Sequence, residues 1–287
     1  MAKTYVFYNS LANNGRGRES VEVFIKSLEG DVIVCDVTEG YTAHIDEMQS
    51  EDKLVLCGGD GTLNRFINET DGIDIKCDIL YYACGSGNDF ARDIALERGA
   101  TPVSVKKYIE NLPEVEVNGK TYKFINGIGF GIDGYCAEEG DRQRAIPGKK
   151  VDYTAIAIKG LLGKFKRIKN AKITVDGVVH KYKKVWLAPT MHGRYYGGGM
   201  IPTPDQRRDN PEELSVLVWY GSGKLPTLMA FPSIFQGEHV KHEKMVEVFK
   251  GREITVEFDS PCALQIDGET IPKVTSYTAR AKVPAKV

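Results

Sequence analysis

The sequence lacks long apolar runs, paired cysteine motifs and an excess of either charge. No stretch approaches the roughly 18 apolar residues of a membrane-spanning helix, and the opening MAKTYVFYNS is too short and polar for a signal peptide. The 6 cysteines are scattered without a C-x-x-C pair, which favours a reducing compartment. A formal net charge of -1 predicts no nucleic-acid partner. We therefore expect a globular cytoplasmic protein.

The first hundred residues alternate between strand-like and helix-like segments. KLVLCGG and ILYYACGSG are typical of buried strands, whereas SVEVFIKSLEG, TLNRFINET and NDFARDIAL repeat apolar residues at helical spacing. TAHIDEMQSED is a weaker helix signal. This order predicts a mostly parallel sheet covered by helices. We therefore predict an α/β domain over residues 1–115.

The second half changes to hairpin signals. The Asn-Gly pair at 118–119 and the Asp-Gly pair at 176–177 suit two-residue turns between strands. Helices are predicted near 152–164 and 225–237. We predict a β-rich, mainly antiparallel sandwich domain over residues 116–287, whose final residues could return to the first domain.

Two glycine-rich loops follow predicted strands and precede predicted helices: GGDGT at 58–62 and GSGND at 85–89. In a parallel sheet both lie at the carboxyl edge, where ligands bind, together with the loop at 9–17. Glycine lets backbone N–H groups approach a phosphate, and the start of a helix favours its negative charge. A single loop of this kind is often only a turn, but three at one edge predict a nucleotide site.

The loops match neither the dinucleotide fingerprint nor the P-loop with its lysine. The phosphates therefore need another cation, which Mg²⁺ held by a hard oxygen ligand such as Asp60 would supply. A nucleotide with Mg²⁺ and nearby carboxylates suits phosphoryl transfer.

Four motifs give the sequence a specific resemblance: GGDGTLN at 58–64, GSGNDFAR at 85–92, YYGGGM at 195–200 and IDGE at 266–269. Together they resemble the diacylglycerol kinase-like lipid kinases, including the bacterial soluble diacylglycerol kinases and the sphingosine kinases. GGDGT alone also occurs in NAD kinases and 6-phosphofructokinases, but the NDFAR element narrows the resemblance to lipid kinases. The resemblance implies the NAD kinase/diacylglycerol kinase-like fold for the first domain.

The resemblance also implies an ATP site, a Mg²⁺ site and a catalytic base. The residues implied to contact ATP are Asn9, Ser10, Leu11, Ala12, Asn13, Thr38, Gly58, Gly59, Asp60, Gly61, Thr62, Leu63, Asn64, Gly85, Ser86, Gly87 and Asn88. Asp60 and Asp89 would hold the Mg²⁺–phosphate unit, and Asp60 would also be catalytic. Glu269 would take the proton from a lipid hydroxyl, with Asp267 as its competitor, because either carboxylate could act as base. Without the resemblance, residues 267–269 are best explained as a plain hairpin turn.

Several positions depart from the family pattern, among them Asn13, which replaces a glycine. Ser10 replaces a proline, which costs loop stiffness. Arg65 stands where the family commonly has Glu; it could contact phosphate, alter metal handling, or simply pair with Glu69 one helical turn away. Asp209 is a candidate ligand for a second, structural metal, although the spacing to Leu214 is one residue longer than the family's.

A basic segment spans residues 142–172, with ten Lys or Arg and a single acid, Asp152. Such a segment can dock on the anionic inner face of a membrane, or it can simply be the solvated face of a packed helix. Elsewhere, the histidines form no recognised metal spacing, and His239 and His242 are expected to be a surface pair.

The sequence therefore predicts an ATP-dependent lipid kinase that transfers the γ-phosphate of Mg-ATP to a lipid hydroxyl. Diacylglycerol, giving phosphatidic acid, is the first candidate acceptor, with a place in phospholipid biosynthesis. The alternatives are an NAD kinase-like small-molecule kinase and a catalytically silent regulator that binds ATP or lipid. The sequence leaves open the acceptor lipid and whether the protein is a homodimer.

Overall fold

The computed structural model describes residues 2–146 and 151–282. Residues 147–150 of the basic segment and the final residues 283–287 lie outside this description. Within the described ranges, none of the helices is both long and apolar enough to cross a membrane.

The first unit, Met1–Asn111, contains a five-stranded sheet in the order β2-β1-β3-β4-β5. Its strands are β1 (Lys3–Tyr8), β2 (Asp31–Asp36), β3 (Lys53–Gly58), β4 (Asp78–Ala83) and β5 (Val103–Ser104). Strands β1 to β4 pair in parallel, and the short β5 is antiparallel to β4. This pairing confirms the predicted mostly parallel α/β sheet.

Short helices connect these strands. They are α1 (Ala12–Gly15), α2 (Gly17–Lys26), α3 (Asp60–Glu69), α4 (Asp89–Asp93) and α5 (Lys106–Ile109). The weak helix signal after β2 forms a 3₁₀ helix over Thr42–Glu47. Apolar residues of α2 at helical spacing cover one face of the sheet, where Phe24 stacks on Tyr82 of β4 at 4.2 Å between ring centroids.

The second unit, Leu112–Val287, contains a ten-stranded antiparallel sheet. Its strands are β6 (Glu114–Val117), β7 (Lys120–Lys123), β8 (Gly127–Phe130), β9 (Ile168–Val175), β10 (Val178–Val185), β11 (Thr190–Met191), β12 (Leu214–Trp219), β13 (Val246–Gly251), β14 (Glu253–Ile266) and β15 (Glu269–Arg280). The main path runs β13-β12-β11-β8-β14-β15-β6-β7, and the β9–β10 hairpin joins it through β14. The β-rich, mainly antiparallel second half is thereby confirmed.

Helices of the second unit pack on this sheet. They are α6 (Ile132–Arg144), α7 (Tyr153–Lys159) with a π-helical turn (Gly160–Lys164), and α8 (Lys224–Ala230) followed by 3₁₀ turns (Phe231–Gln236 and Glu238–Lys241). Helix α6 approaches β14 so closely that a Cβ on Gly134 would lie 1.7 Å from the Ala263 carbonyl oxygen. Glycine at this position is therefore a packing requirement.

His239 contradicts the expectation of a surface histidine pair. Its ring is fully buried, stacks nearly parallel to Trp219 at 6.0 Å between centroids, and bonds the Pro202 carbonyl oxygen through Nε2 at 2.8 Å. The spacing of His239 and His242 gave no sign of this, because the partners come from distant parts of the chain.

A buried carboxyl group lies at the start of α6. Asp133 accepts a 2.6 Å hydrogen bond from the Tyr196 hydroxyl, and both residues are buried. The backbone of Tyr196 pairs with Met200 across three glycines, Gly197 to Gly199, which all have positive φ. The Asp133–Tyr196 bond therefore anchors the YYGGGM turn. Burial raises the pKa of Asp133 to about 7, and the Tyr196 hydroxyl only partly offsets this rise.

This raised pKa makes stability depend on pH. Above pH 4 the unfolded chain ionises Asp133 while the folded chain keeps the proton, so the free energy of unfolding falls as pH rises towards 7. We expect Asp133→Asn to remove this loss, so that wild type loses about 3 kcal/mol relative to the variant between pH 5 and pH 8. Denaturant unfolding at both pH values measures it. Glu138→Gln, at an exposed position of the same helix, should track wild type; parallel pH curves for wild type and Asp133→Asn would contradict the buried-acid assignment.

Candidate active site

The two glycine loops of the first unit touch each other. A Cβ on Gly85 would lie 2.4 Å from the Gly59 Cα, and one on Gly58 would lie 2.4 Å from the Thr62 side chain. The Gly58 carbonyl oxygen accepts the N–H groups of Cys84 at 2.9 Å and Gly85 at 3.1 Å. Contacts within and between the loops therefore exclude side chains at Gly58 and Gly85 and crowd one at Gly59. These contacts require glycine independently of any approach to a phosphate.

Asp60 joins the same two loops through its carboxylate. Its Oδ2 accepts the N–H of Asp89 and its Oδ1 the N–H of Phe90, both at 2.9 Å. These two N–H groups open α4, so Asp60 caps that helix. Asn88 forms the turn that leads into α4. It has a positive φ of 53°, and its Nδ2 donates to the Gly85 carbonyl oxygen at 2.8 Å. The structure thus brings the predicted metal pair, Asp60 and Asp89, to adjacent positions.

The loops after β1 and β2 form a second polar cluster at the carboxyl edge. The Thr38 hydroxyl donates to Asp36 at 2.6 Å and lies 3.2 Å from Asn9 Oδ1 and 3.1 Å from Ser10 Oγ. Asp36 is exposed; the desolvation that remains acts to raise the pKa of its carboxyl group, but hydrogen bonds from Ser10 and Thr38 bring that pKa below its ordinary value. The predicted Asn9, Ser10 and Thr38 therefore lie together. Asp36, the last residue of β2, was missed, although an acid at the end of a parallel strand is a usable signal.

Arg65 connects α3 to this cluster. Its guanidinium forms an ion pair with Glu69, donates from Nη1 to the Thr38 carbonyl oxygen at 3.0 Å, and lies 5.5 Å from the Tyr41 ring centroid. Of the alternatives for this residue, pairing with Glu69 is the one observed. Arg65 therefore holds the position of Thr38.

The remaining residues that were predicted to contact the nucleotide are buried, half-buried or exposed. Leu63 and Asn64 are buried in α3, and Thr62 lies beneath Gly58, so the Leu63 side chain serves the core. Leu11, Gly61 and Ser86 are exposed. The other members of the predicted set, Ala12, Asn13 and Gly87, are half-buried in the same loops.

Asp267 of the second unit is an anchor. Its buried carboxylate accepts three backbone N–H groups, from Ile125 at 2.6 Å, Asn126 at 2.8 Å and Gly127 at 2.9 Å. Arg208 holds the same segment from its other side, donating to the Ile125 carbonyl oxygen and, at 2.9 Å, to Asn126 Oδ1. The two charged groups together fix the chain just before β8.

Glu269 is in a different environment, although it is only two residues away. It is exposed at the first position of β15. The turn before it is set by the positive φ of Asp267, 48°, and by a 2.7 Å bond from the Gly268 N–H to Gln265 Oε1. A fixed turn with an exposed carboxylate at its end is suited to accepting a proton.

Asp209 gives no support for a second metal. Its exposed carboxylate pairs with the Arg207 guanidinium at 2.8 and 3.0 Å. The described residues also contain no group of three His, Cys, Asp or Glu side chains placed to hold a metal ion. The second metal stays a sequence prediction, and no step below uses it.

Comparisons with known proteins identify the family of the chain. A model of the diacylglycerol kinase catalytic domain matches residues 3–117, and a model of the YegS C-terminal NAD kinase beta sandwich-like domain matches residues 126–286. A relative named "Putative lipid kinase YtlR", from Bacillus subtilis, is 24% identical over 256 residues, covering 82% of this chain and 79% of its own.

A solved structure shares the fold. The crystal structure of a diacylglycerol kinase from Bacillus anthracis superposes with a TM-score of 0.62 at 20% identity, covering 100% of this chain and 98% of that one. The two family models together span nearly the whole sequence. The chain therefore belongs to the diacylglycerol kinase-like lipid kinase family and is a kinase.

Proposed function

We propose that the protein transfers the γ-phosphate of ATP to the hydroxyl group of a membrane lipid. Diacylglycerol is the first candidate acceptor, and phosphatidic acid, a precursor for phospholipid biosynthesis, would be the product. The observation that carries the proposal is the linkage of four loops at one sheet edge, through Asp60, Thr38 and Arg65, in a chain of the lipid kinase family.

The nucleotide would lie along this edge of the first unit. Exposed positions at Gly61 and Ser86, with the half-buried Asn9 and Ser10, offer backbone and side-chain donors to phosphate oxygens. Because the loops are already tied to each other, they lose little freedom when a nucleotide binds. This preorganisation supports the ATP site implied by the family.

The donor set fits Mg²⁺ beside the phosphates. Asp60 and Asp89 would hold it, because carboxylates attract a cation and Mg²⁺ commonly uses one or two carboxylates plus substrate oxygens. When bound, it would neutralise phosphate charge in the way a P-loop lysine does elsewhere. The bond from the Asp89 backbone N–H to the Asp60 carboxylate keeps these two residues next to each other.

Glu269 is our candidate for the base. In the reaction the lipid hydroxyl oxygen bonds to the γ-phosphorus, the bond to the ADP oxygen breaks, and the hydroxyl proton passes to the Glu269 carboxylate. Asp267 is less suited, because three backbone N–H groups already engage its oxygens. We assign Asp267 the task of positioning the turn that carries Glu269.

The basic segment 142–172 would bring the protein to its substrate. A lipid acceptor resides in a bilayer, and basic residues favour an anionic membrane surface. We propose a cytoplasmic protein that binds reversibly at the inner membrane face.

Radiolabelled ATP tests the proposal with the purified full chain, Mg²⁺ and a panel of diacylglycerols, monoacylglycerols, sphingoid bases and prenols, with NAD as a further acceptor in a separate reaction. We expect one lipid class to be labelled, and Glu269→Gln to lower kcat by about 100-fold or more without changing the unfolding midpoint, since Glu269 is exposed. Glu253→Gln, at an exposed glutamate of β14, should keep its rate.

Three results would contradict it. Labelling of NAD and no lipid would favour a small-molecule kinase, and labelling of nothing would favour a silent regulator. Full activity in Glu269→Gln would remove Glu269 as the base.

A further inference from the structure

Two pairs of aliphatic side chains are exposed on neighbouring helices of the second unit. In α7 and its π-helical turn, Ile158 is 41% exposed and Leu162 56%. In α8, Leu225 is 67% exposed and Met229 76%. Each pair is four residues apart, so its members lie on one face of their helix.

The two helices are fixed side by side. The Lys224 ammonium at the start of α8 donates to the Leu162 carbonyl oxygen at 2.9 Å. Both segments bury their inner sides in one core around Trp186 and Trp219, to which the turn contributes Leu161 and α8 contributes Ala230. The exposed pairs are thus the outward sides of two elements that share a core.

These segments carry lysines. Lys159 is exposed at the end of α7 and Lys224 at the start of α8, and Lys166 and Lys169 are exposed on the chain that follows the π-helical turn. The sequence has no Asp or Glu between Tyr153 and Asn170, or between Gly221 and Gly237. We call Ile158, Leu162, Leu225 and Met229, with Lys159 and Lys224, the aliphatic–basic face.

We propose that the aliphatic–basic face docks on a bilayer containing anionic phospholipids, with its aliphatic side chains entering the interface and its lysines contacting the headgroups. Exposed aliphatic side chains beside lysines, on segments whose own sequence contains no acid, complement such a surface. Helix α8 lies outside the basic segment 142–172, so the docking surface is composite. The proposal rests on the proposed function for its choice of a bilayer as partner.

Vesicle flotation tests the docking without ATP or catalysis. The full chain is mixed with phosphatidylcholine vesicles with and without phosphatidylserine. We expect binding that requires phosphatidylserine, weakened at least about tenfold by the double change Leu225→Glu with Met229→Glu. Lys159→Gln with Lys224→Gln should weaken it about 30-fold at low salt, and less at high salt. Leu162→Glu, in the π-helical turn after α7, tests the other half of the face independently.

Val23 provides the matched control. It is 81% exposed on α2 of the first unit, so Val23→Glu adds the same single charge as Leu162→Glu, outside the face, and should bind as wild type does. Unchanged unfolding midpoints show that the variants fold. Wild-type binding by both the Leu225/Met229 and Leu162 variants would overturn the proposal. So would variants that change the mass in solution by light scattering while still binding vesicles, since the face would then join copies of the chain.

The outcomes separate docking from catalysis. Variants of the face should phosphorylate lipid dispersed in detergent micelles at the wild-type rate. Vesicle binding by a protein that labels no lipid would contradict the proposed function and support the docking. Labelled lipid without face-dependent vesicle binding would support the proposed function and contradict the docking.

Discussion

The first unit's site depends on one carboxylate, that of Asp60, which accepts the N–H groups of Asp89 and Phe90. The first N–H groups of a helix have no partner within the helix, and here the partner comes from the preceding strand–helix loop. The bond is therefore both a helix cap and a clamp between loops. The same loops also meet where Gly59 contacts Gly85, which is possible because Gly85 has no side chain: a Cβ there would lie 2.4 Å from the Gly59 Cα.

The second unit uses the same principle with Asp267. Three N–H groups of the chain before β8 converge on its carboxylate. In each unit, a carboxylate that resembles a catalytic residue binds backbone N–H groups and so holds the chain in place. This difference in hydrogen bonding distinguishes Asp267 from Glu269, which their positions in the sequence do not. The fold supplies a fixed turn, and Glu269 at its end is exposed, as a proposed base needs to be.

Local patterns in the sequence were sufficient for much of the fold. Strand–helix alternation gave the parallel sheet, the Asn-Gly and Asp-Gly pairs gave two hairpins, and the spacing of four residues gave the Arg65–Glu69 pair. Features made by distant segments were not predictable: the burial of His239 against Trp219, and the Asp133–Tyr196 bond across 63 positions. The candidate site was predicted as a set of residues, but the reason for its glycines required the packed loops. Likewise, the basic character of the segment 142–172 is visible in the sequence. The pairing of α7 with α8 is not, because the two helices are distant in the chain.

The most direct measurement is ATP binding by calorimetry, with Mg²⁺, for wild type and Asp60→Asn, beside the unfolding midpoint of each. An amide at position 60 places a donor NH₂ group where one carboxylate oxygen was, so it cannot reproduce the two-oxygen contact with the N–H groups of α4. The account predicts that ATP affinity falls at least about tenfold and that the unfolding midpoint falls with it. Unchanged ATP affinity in Asp60→Asn would contradict a nucleotide site at this edge, and an unchanged midpoint would contradict the clamp.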